Sequence, residues 1–153
     1  CPRVLDLNLR QQFYSKELIH ESLKLANILK LNDGEMTICR KLLGLSGAAA
    51  EGAYTLIERY RLTAVILTKG AKGSSYYDKE TCFDMPNHDG AEDVVDTVGC
   101  GDSFTAAFLT ARILGCDAFD AVSHAANVAS YVACCPGATP DIPDELRITE
   151  DAE

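Results

Sequence analysis

The residues best suited to chemistry lie in a glycine-rich turn, residues 96–104, which reads DTVGCGDSF. Apolar residues recur at helical spacing after Asp102, so we predict that the turn lies at a helix N-terminus. The unpaired amides of a first helical turn and the helix dipole attract anions, and Gly99 and Gly101 let the backbone approach a phosphate. An acid there would repel phosphate unless it took a proton from the attacking group, the role we predict for Asp102.

The same turn can also be interpreted as an ordinary helix start without a chemical role. Asp and Ser are favoured in the first turn of any helix, and Gly-x-Gly occurs in ordinary loops. Neither of the two familiar nucleotide-binding loops fits. No Lys-Ser/Thr pair follows Gly101 as in a Walker loop, and Phe104 stands where a dinucleotide fingerprint has a small residue.

Composition and charge exclude several classes of partner. The chain has 153 residues, of which 47% are hydrophobic and 24% charged, so we expect one globular domain over residues 1–153. A formal net charge of −9 argues against nucleic acid and anionic membranes as main partners. Any anion site must therefore be local. We recognise no signal peptide and no apolar run long enough to span a bilayer.

The seven cysteines are odd in number, and none has the spacing of a zinc site. The adjacent pair Cys134 and Cys135 lies in a helical run, where we expect core packing rather than metal or redox chemistry. Free thiols favour a reducing compartment, so we expect a cytoplasmic protein.

Short apolar strands alternate with amphipathic helices along the chain. Strands are predicted at 4–7, 28–31 and 64–68, and a hairpin is predicted from 74–77 and 81–84. The pattern predicts an α/β fold with an open, mostly parallel sheet, helices on both faces and the antiparallel hairpin near one edge. Predicted helices cover about 15–26, 32–43, 48–60, 102–113 and 119–135; the loop 86–93 is polar and acidic, and the tail after Thr149 is expected to fray.

Ligands of such sheets bind outside the carboxyl ends of the strands. Polar residues and glycines occupy four such positions in this sequence, which predicts one ligand site at that edge. They are Asn8 and Arg10, Asn32 and Glu35, Thr68 and Gly70, and the turn at 99–102.

Three of these groups also have structural interpretations. An N-cap Asn32 reciprocated by Glu35 is a capping box. The glycines between Thr68 and Ser74 could form the turn of a hairpin. Asp6 and Asn8 could satisfy a loop at the end of a strand.

The turn at 96–102 resembles the Asp-Thr-x-Gly-x-Gly-Asp signature of the ribokinase-like (PfkB-type) carbohydrate kinases. Three further stretches resemble motifs of that family and occur in its order: Asn32-x-x-Glu35, Thr68-x-Gly70-x-x-Gly73 and the loop 135–140. The stretch 6–10, DLNLR, is similar to the Asp-x-Asn-x-Arg motif of fructokinase-like members. The resemblance covers nearly all of this chain but only the carboxyl-terminal half of a family member, without the amino-terminal half and its lid.

The resemblance implies ATP-dependent phosphorylation of a sugar hydroxyl, with fructose or a similar carbohydrate as acceptor and a nucleoside as the alternative. It implies that Asp102 is the catalytic base and that the amides of Gly99, Cys100, Gly101 and Asp102 form an anion hole. Implied nucleotide-binding residues are Asn32, Thr68, Gly70, Gly73, Gly101, Asp102 and Asn127; implied acceptor-binding residues are Asn8, Arg10 and Asp102.

The resemblance also implies cofactors and an oligomeric state. ATP would bind with Mg²⁺ near Asn32 and Glu35, and K⁺ is a further candidate ion. Val98 and Asp141 depart from the hydroxyl residues usual at their positions, which leaves the K⁺ dependence open. The whole protein is implied to form a homodimer through the lid. The implied K⁺ ligands are oxygens of Asp96, Val98, Val132, Cys135, Gly137 and Asp141.

Two other function classes compare with the kinase interpretation. A nucleotide-binding module without catalysis, or an inactive fragment, is the main alternative, because the half with the lid has no counterpart here and the chain alone is expected to be inactive. A dinucleotide-dependent oxidoreductase is disfavoured, because no glycine-rich fingerprint opens the first strand–helix unit.

Overall fold

The computed structural model describes residues 1–87 and 94–148. The chain divides into two compact units, Cys1–Asp84 and Met85–Glu153. The first unit contains most of a β-sheet and three helices, and the second contains two long helices. The single domain over residues 1–153 stays a prediction.

In the described part of the chain the sheet has five strands, in the order β1-β2-β3-β4-β5. The pairs β1–β2 and β2–β3 are parallel, and β4 runs antiparallel to β3. The predicted open, mixed α/β sheet with its antiparallel addition near one edge is therefore confirmed. Its elements are β1 (Val4–Asp6), α1 (Lys16–Leu25), β2 (Ile28–Asn32), α2 (Asp33–Leu43), α3 (Ala49–Tyr60), β3 (Ala64–Thr68), a 3-10 turn (Gly70–Lys72), β4 (Ser74–Tyr77) and β5 (Cys82–Met85).

One face of the central strands supplies the core of the first unit. Leu29 and Leu31 of β2 and Val65 and Leu67 of β3 are buried in one cluster with apolar side chains of α1, α2 and α3. Each fully buried leucine or valine contributes about 1.5–3 kcal/mol relative to its exposed state. This packing fixes the strand ends and the helix starts that follow them. The helical members include Ile19, Leu23, Met36, Cys39, Leu56 and Ile57.

The second unit is a pair of packed helices, α4 (Cys100–Ile113) and α5 (Ala118–Ala133), followed by a 3-10 turn (Asp144–Leu146). Buried alanines, together with Phe104, Phe108, Val122, Val128 and Val132, supply the apolar residues of these helices. The sequence analysis placed the turn at 99–102 at the carboxyl end of a strand, but residues 94–97, directly before it, form no strand. The backbone amides of Val95 and Asp96 instead donate to the carbonyl of Ala133, at 2.9 and 3.1 Å.

Two predictions fall partly on residues that the structure does not describe. They are the acidic loop, of which 88–93 are outside the described residues, and the tail from 149 onward. Within the described ranges, every helix is too short or too polar to cross a lipid bilayer.

Candidate functional site

The first unit brings three of the four predicted groups to one sheet edge. Because β1, β2 and β3 are parallel neighbours, the residues that follow them lie at the same end of the sheet. Asn32 and Thr68 are direct register partners there. The fourth group, the turn at 99–102, belongs to the second unit.

Asn32 and Glu35 form the predicted capping box at the start of α2. The side-chain oxygen of Asn32 accepts the Glu35 amide at 2.9 Å, and Glu35 Oε2 accepts the Asn32 amide at 2.8 Å. Glu35 is only 7% exposed, and its Oε1 accepts the amide of Leu9 at 2.8 Å. Both carboxylate oxygens therefore already bind backbone amides.

This arrangement fits a hydrated Mg²⁺ better than a closed ligand cage. Residues 1–87 and 94–148 contain no group of three His, Cys, Asp or Glu side chains that could hold a metal. Mg²⁺ keeps several waters and is usually held by one or two carboxylates together with substrate phosphates. Asn32 is exposed and Glu35 carries a negative charge, so the pair could hold such an ion through water.

The segment from Thr68 to Gly73 forms a tight turn closed by its own backbone. The Lys69 amide donates to the Gly73 carbonyl at 2.8 Å, and Gly70 and Gly73 have φ values of 57° and 85°. Thr68 Oγ1 lies 3.4 Å from the carbonyl of Leu31. The turn therefore holds its own shape through backbone contacts.

The positive charge of Lys69 is compensated. Its Nζ lies 2.8 Å from Asp84 Oδ1, and Ser75 Oγ donates to the same carboxylate oxygen. The hydrogen bonds from Lys69 and Ser75 hold the pKa of Asp84 below its ordinary value. Lys72 is exposed at the tip of the turn, so it is the better source of positive potential there.

Asn8 and Arg10 lie in the loop that follows β1. Both side chains are exposed, and Asn8 has a left-handed φ of 41°. They line a cleft of about 170 Å³ whose other walls are mainly apolar. Leu5, Leu7, Leu9, Phe13, Tyr14, Leu18 and Ile19 contribute to those walls.

In the second unit, α4 begins without a side-chain cap from any described residue. Its N-cap is Gly99, with a φ of 83°. The Cys100 amide makes only a long 3.4 Å contact with the Thr97 carbonyl, and the Gly101 and Asp102 amides find no acceptor among residues 1–87 and 94–148. Asp102 is exposed beside these open amides.

The late loop of the second unit packs directly on this turn. A Cβ atom on Gly99 would lie 2.4 Å from the carbonyl oxygen of Ala138, so no other residue fits without a shift. The early and late segments predicted to hold K⁺ are thus neighbours.

Cys100, the first residue of α4, is partly buried in this turn. Its burial, and then the negative charge of Asp96, raise the pKa of the Cys100 thiol.

Several of the predicted K⁺ ligands already make internal hydrogen bonds. Asp96 Oδ1 accepts the Val98 amide at 3.0 Å, and the Val132 carbonyl accepts the Cys135 amide at 3.1 Å. The Asp141 carbonyl accepts the hydroxyl of Tyr131 at 3.1 Å. Carbonyl oxygens have a second lone pair, so these contacts still allow an ion to bind. Gly137 lies in the same loop with a φ of 83°, and Asn127 is half-buried on α5.

Sequence reasoning gave no role to Lys30 or Tyr131. Lys30 is a buried lysine in an otherwise apolar strand, and its Nζ lies 2.8 Å from Asp6 Oδ2. A lone charged residue in an apolar strand is a usable signal for a buried ion pair. Tyr131 gives no comparable signal, because it is one aromatic residue on a helix. Its side-chain hydrogen bond with Cys135 is the main reason that its pKa is raised.

Comparison with known proteins places this chain in one family. The model of the pfkB family carbohydrate kinases matches residues 2–145. A nucleoside kinase from Methanocaldococcus jannaschii is 32% identical over 142 residues, which are 92% of this chain and 43% of that protein. Its crystal structure superimposes with a TM-score of 0.81 at 30% identity, covering 94% of this chain and 46% of its own.

Two more relatives extend the comparison. A probable fructokinase-5 from Arabidopsis thaliana is 34% identical over 84 residues, which are 55% of this chain and 24% of that protein. An E. coli protein whose crystal structure contains ATP and Mg²⁺ has a TM-score of 0.72 at 25% identity, covering 80% of this chain and 38% of its own. The chain thus spans less than half the length of these relatives. With the family match over nearly its whole length, it belongs to the pfkB family of carbohydrate kinases.

Proposed function

We propose that this chain is the phosphate-handling part of an enzyme that transfers the γ-phosphoryl group of ATP to a sugar hydroxyl. The uncapped start of α4 carries this proposal, because open amides of Gly101 and Asp102 lie beside an exposed carboxylate. Membership of a carbohydrate kinase family supports the reaction class.

Asp102 acts as the general base in this proposal. It accepts the proton of the attacking hydroxyl, a function that typically contributes about 10²- to 10⁴-fold to rate. The amides from Gly99 to Asp102 hold the charge that develops on the transferring group. Loss of one such donor typically costs about 3–4 kcal/mol of transition-state stabilisation.

The other predicted residues bind the nucleotide and the ions. Mg²⁺, when bound, neutralises charge on the β- and γ-phosphates. Asn32 and Glu35 would hold this ion through water, and the related E. coli structure with ATP and Mg²⁺ supports the choice of cofactor. Nucleotide contacts are assigned to Thr68, Gly70, Gly73 and Asn127. K⁺ would bind the carbonyl oxygens of the turn at 96–98 and of the loop 132–141.

Two acceptor classes have support. The Asp6-x-Asn8-x-Arg10 stretch favours fructose, and it lies on an exposed loop beside a cleft. A nucleoside is the second candidate, because similarity to the nucleoside kinase covers 92% of this chain, against 55% for the fructokinase. The seven free thiols support the cytoplasm as the compartment.

An acceptor screen of the complete polypeptide that contains this chain tests the proposal. Purified protein with Mg²⁺ and ATP is incubated with fructose, ribose and a set of nucleosides, and both ADP and the phosphorylated product are measured. We expect one class to be phosphorylated, with the mass of one phosphate added. Nucleotide binding without any acceptor-dependent product would instead identify a binding module.

A further inference from the structure

The Glu35 carboxylate connects two segments that are distant in sequence. Its Oε2 accepts the amide of Asn32, three residues away, and its Oε1 accepts the amide of Leu9, 26 residues away. The group is only 7% exposed, so water competes little for these bonds. Hydrogen bonds to a carboxylate are stronger than those between neutral groups. A single side chain therefore ties the loop after β1 to the start of α2.

The same loop has a second attachment, to β2. Asp6 and Lys30 are register partners in the parallel pair, and their side chains form an ion pair at 2.8 Å. The side chains of Lys30 and Asp6 are 9% and 23% exposed. The Leu7 amide also donates to the Lys30 carbonyl at 3.0 Å. The ion pair and this backbone bond thus hold the loop at its first residue.

Asn8 lies between these two attachments. Its neighbours Leu7 and Leu9 have bonded amides, while Asn8 itself has a φ of 41°, a conformation that few residues other than glycine adopt. Asparagine tolerates it better than most residues. Its exposed side chain is therefore presented in one direction by a backbone that is fixed on both sides.

We propose that Glu35 and the Lys30–Asp6 pair are positioning residues that fix the Leu7–Arg10 loop and so determine acceptor affinity. This inference rests on the proposed function, in which Asn8 and Arg10 contact the acceptor. It differs from a role of Glu35 as a direct Mg²⁺ ligand. Replacement of a direct ligand would raise the Mg²⁺ concentration that activity requires. Replacement of a positioning residue would loosen the Leu7–Arg10 loop and raise the acceptor KM.

The first test replaces Glu35 in the complete polypeptide. Glu35→Gln keeps the size of the side chain but has only one acceptor oxygen for two amides. Asp33→Asn is the matched control, since it removes a negative charge at the same helix start from a side chain that is exposed. Hydrogen exchange of the Leu9 amide is measured together with the KM for the acceptor, kcat and the Mg²⁺ activation constant.

We expect Glu35→Gln to accelerate Leu9 exchange and raise the acceptor KM, each about tenfold, as loss of one charge-assisted hydrogen bond predicts. The acceptor KM is measured at saturating Mg²⁺, because Glu35 is also assigned to the hydrated ion, and Asp33→Asn should change neither Leu9 exchange nor this KM. An unchanged Leu9 exchange rate with a raised Mg²⁺ requirement would overturn the proposal and assign Glu35 to the ion.

The second test neutralises the ion pair. Lys30→Met alone would leave a largely buried carboxylate without its lysine and could prevent folding. The double variant Lys30→Met/Asp6→Asn removes both charges, and Lys24→Met, at an exposed lysine, is its control. We expect the double variant to raise the acceptor KM about tenfold with circular dichroism unchanged. An acceptor KM equal to that of the wild type would remove this pair from the proposal.

Failure of the proposed function gives a different result. If the wild type phosphorylates no acceptor, the kinase assignment fails, while Leu9 exchange in Glu35→Gln still reports whether this carboxylate holds the loop. If the Leu9 amide exchanges as slowly in Glu35→Gln as in the wild type, the inference about the loop is wrong, whatever the enzyme's activity.

Discussion

The starts of α2 and α4 both carry acidic residues, but they differ in what their amides bind. At the start of α2, Asn32 and Glu35 satisfy each other's backbone amides. At the start of α4, the N-cap is Gly99, and among the described residues no side chain caps the helix. We call the start of α2 closed, because a side chain caps its Glu35 amide, and the start of α4 open, because no described side chain caps it.

The difference shows how a capping motif can be separated from an anion site. Both sequences place glycine and acidic residues where a helix begins, and both resemble family motifs. At α4 the amide of Asp102, the third helical residue, has no acceptor among the described residues, whereas the corresponding Glu35 amide at α2 is capped by Asn32. Asp102 is also exposed, whereas Glu35 of the capping box is buried. An open start with an exposed acid is suited to phosphoryl transfer, and a closed one to holding a loop in place.

The largest effect is expected from Asp102→Asn in the complete polypeptide. Loss of a general base should lower kcat by about 10²- to 10⁴-fold while nucleotide affinity stays within about threefold. Asp33→Asn at the closed start should leave kcat within about twofold, as is usual for exposed surface charges. Steady-state kinetics and calorimetric titration with ADP measure the two quantities. Equal effects of the two substitutions would break the comparison.

The next largest effect is expected from Gly99→Ala. Gly99 and Gly115 both have positive φ, 83° and 96°, so alanine is strained at either position. Only at Gly99 would the new Cβ meet another group, the Ala138 carbonyl at 2.4 Å. Gly99→Ala should therefore lower the free energy of unfolding by about 1–3 kcal/mol more than Gly115→Ala. Urea denaturation measures both variants, and equal losses would show that the late loop does not restrict the turn.

A smaller effect is expected from removal of the Asn32 side chain, which caps the start of α2. Asn32→Ala and Ser15→Ala each remove an N-cap side chain, from α2 and α1, so each should cost about 0.5–2 kcal/mol of stability. Because Asn32 is also assigned to nucleotide, Asn32→Ala should in addition weaken binding of ATP with Mg²⁺ about tenfold. Thermal unfolding and calorimetry separate the two effects. Unchanged ATP affinity would show that Asn32 caps α2 but does not bind the nucleotide.

The smallest effect concerns the exposed pair Lys69–Asp84 beside the Thr68–Gly73 turn. The hydrogen bonds from Lys69 and Ser75 lower the pKa of Asp84 in the folded state. The pair therefore stabilises the fold above the unfolded-state pKa, and this contribution disappears as pH falls through the folded-state pKa. Asp84→Asn should reduce the loss of thermal stability as pH falls below about 4, the ordinary pKa of an aspartate. An equal loss of thermal stability at acidic pH in the wild type and the variant would show that the pair contributes no stability.

The sequence predicts features that are set by neighbouring residues. Ser15 and Asn32 cap the helices that their local patterns indicated, and the apolar strands at 28–31 and 64–68 lie in the sheet as expected. Capping and periodicity depend on residues within one helical turn or one strand. These elements are therefore accessible without a structure.

Contacts between distant segments were not predicted. Glu35 and Leu9 are 26 residues apart, and Lys30 and Asp6 are 24 apart. Each contact depends on strand register and on which side of a loop an amide faces, and neither is encoded locally. The placement of the turn at 99–102 after a strand failed for a related reason, since the amides of Val95 and Asp96 donate to the carbonyl of Ala133 at the end of α5.

The central claim is that the open amides at the start of α4 bind the transferring phosphoryl group. A crystal structure of the complete polypeptide with ADP, Mg²⁺ and aluminium fluoride, an analogue of that group in transit, tests it most directly. The account predicts fluoride ligands about 3 Å from the amide nitrogens of Gly101 and Asp102. An analogue bound elsewhere, with these two amides facing only solvent, would contradict it.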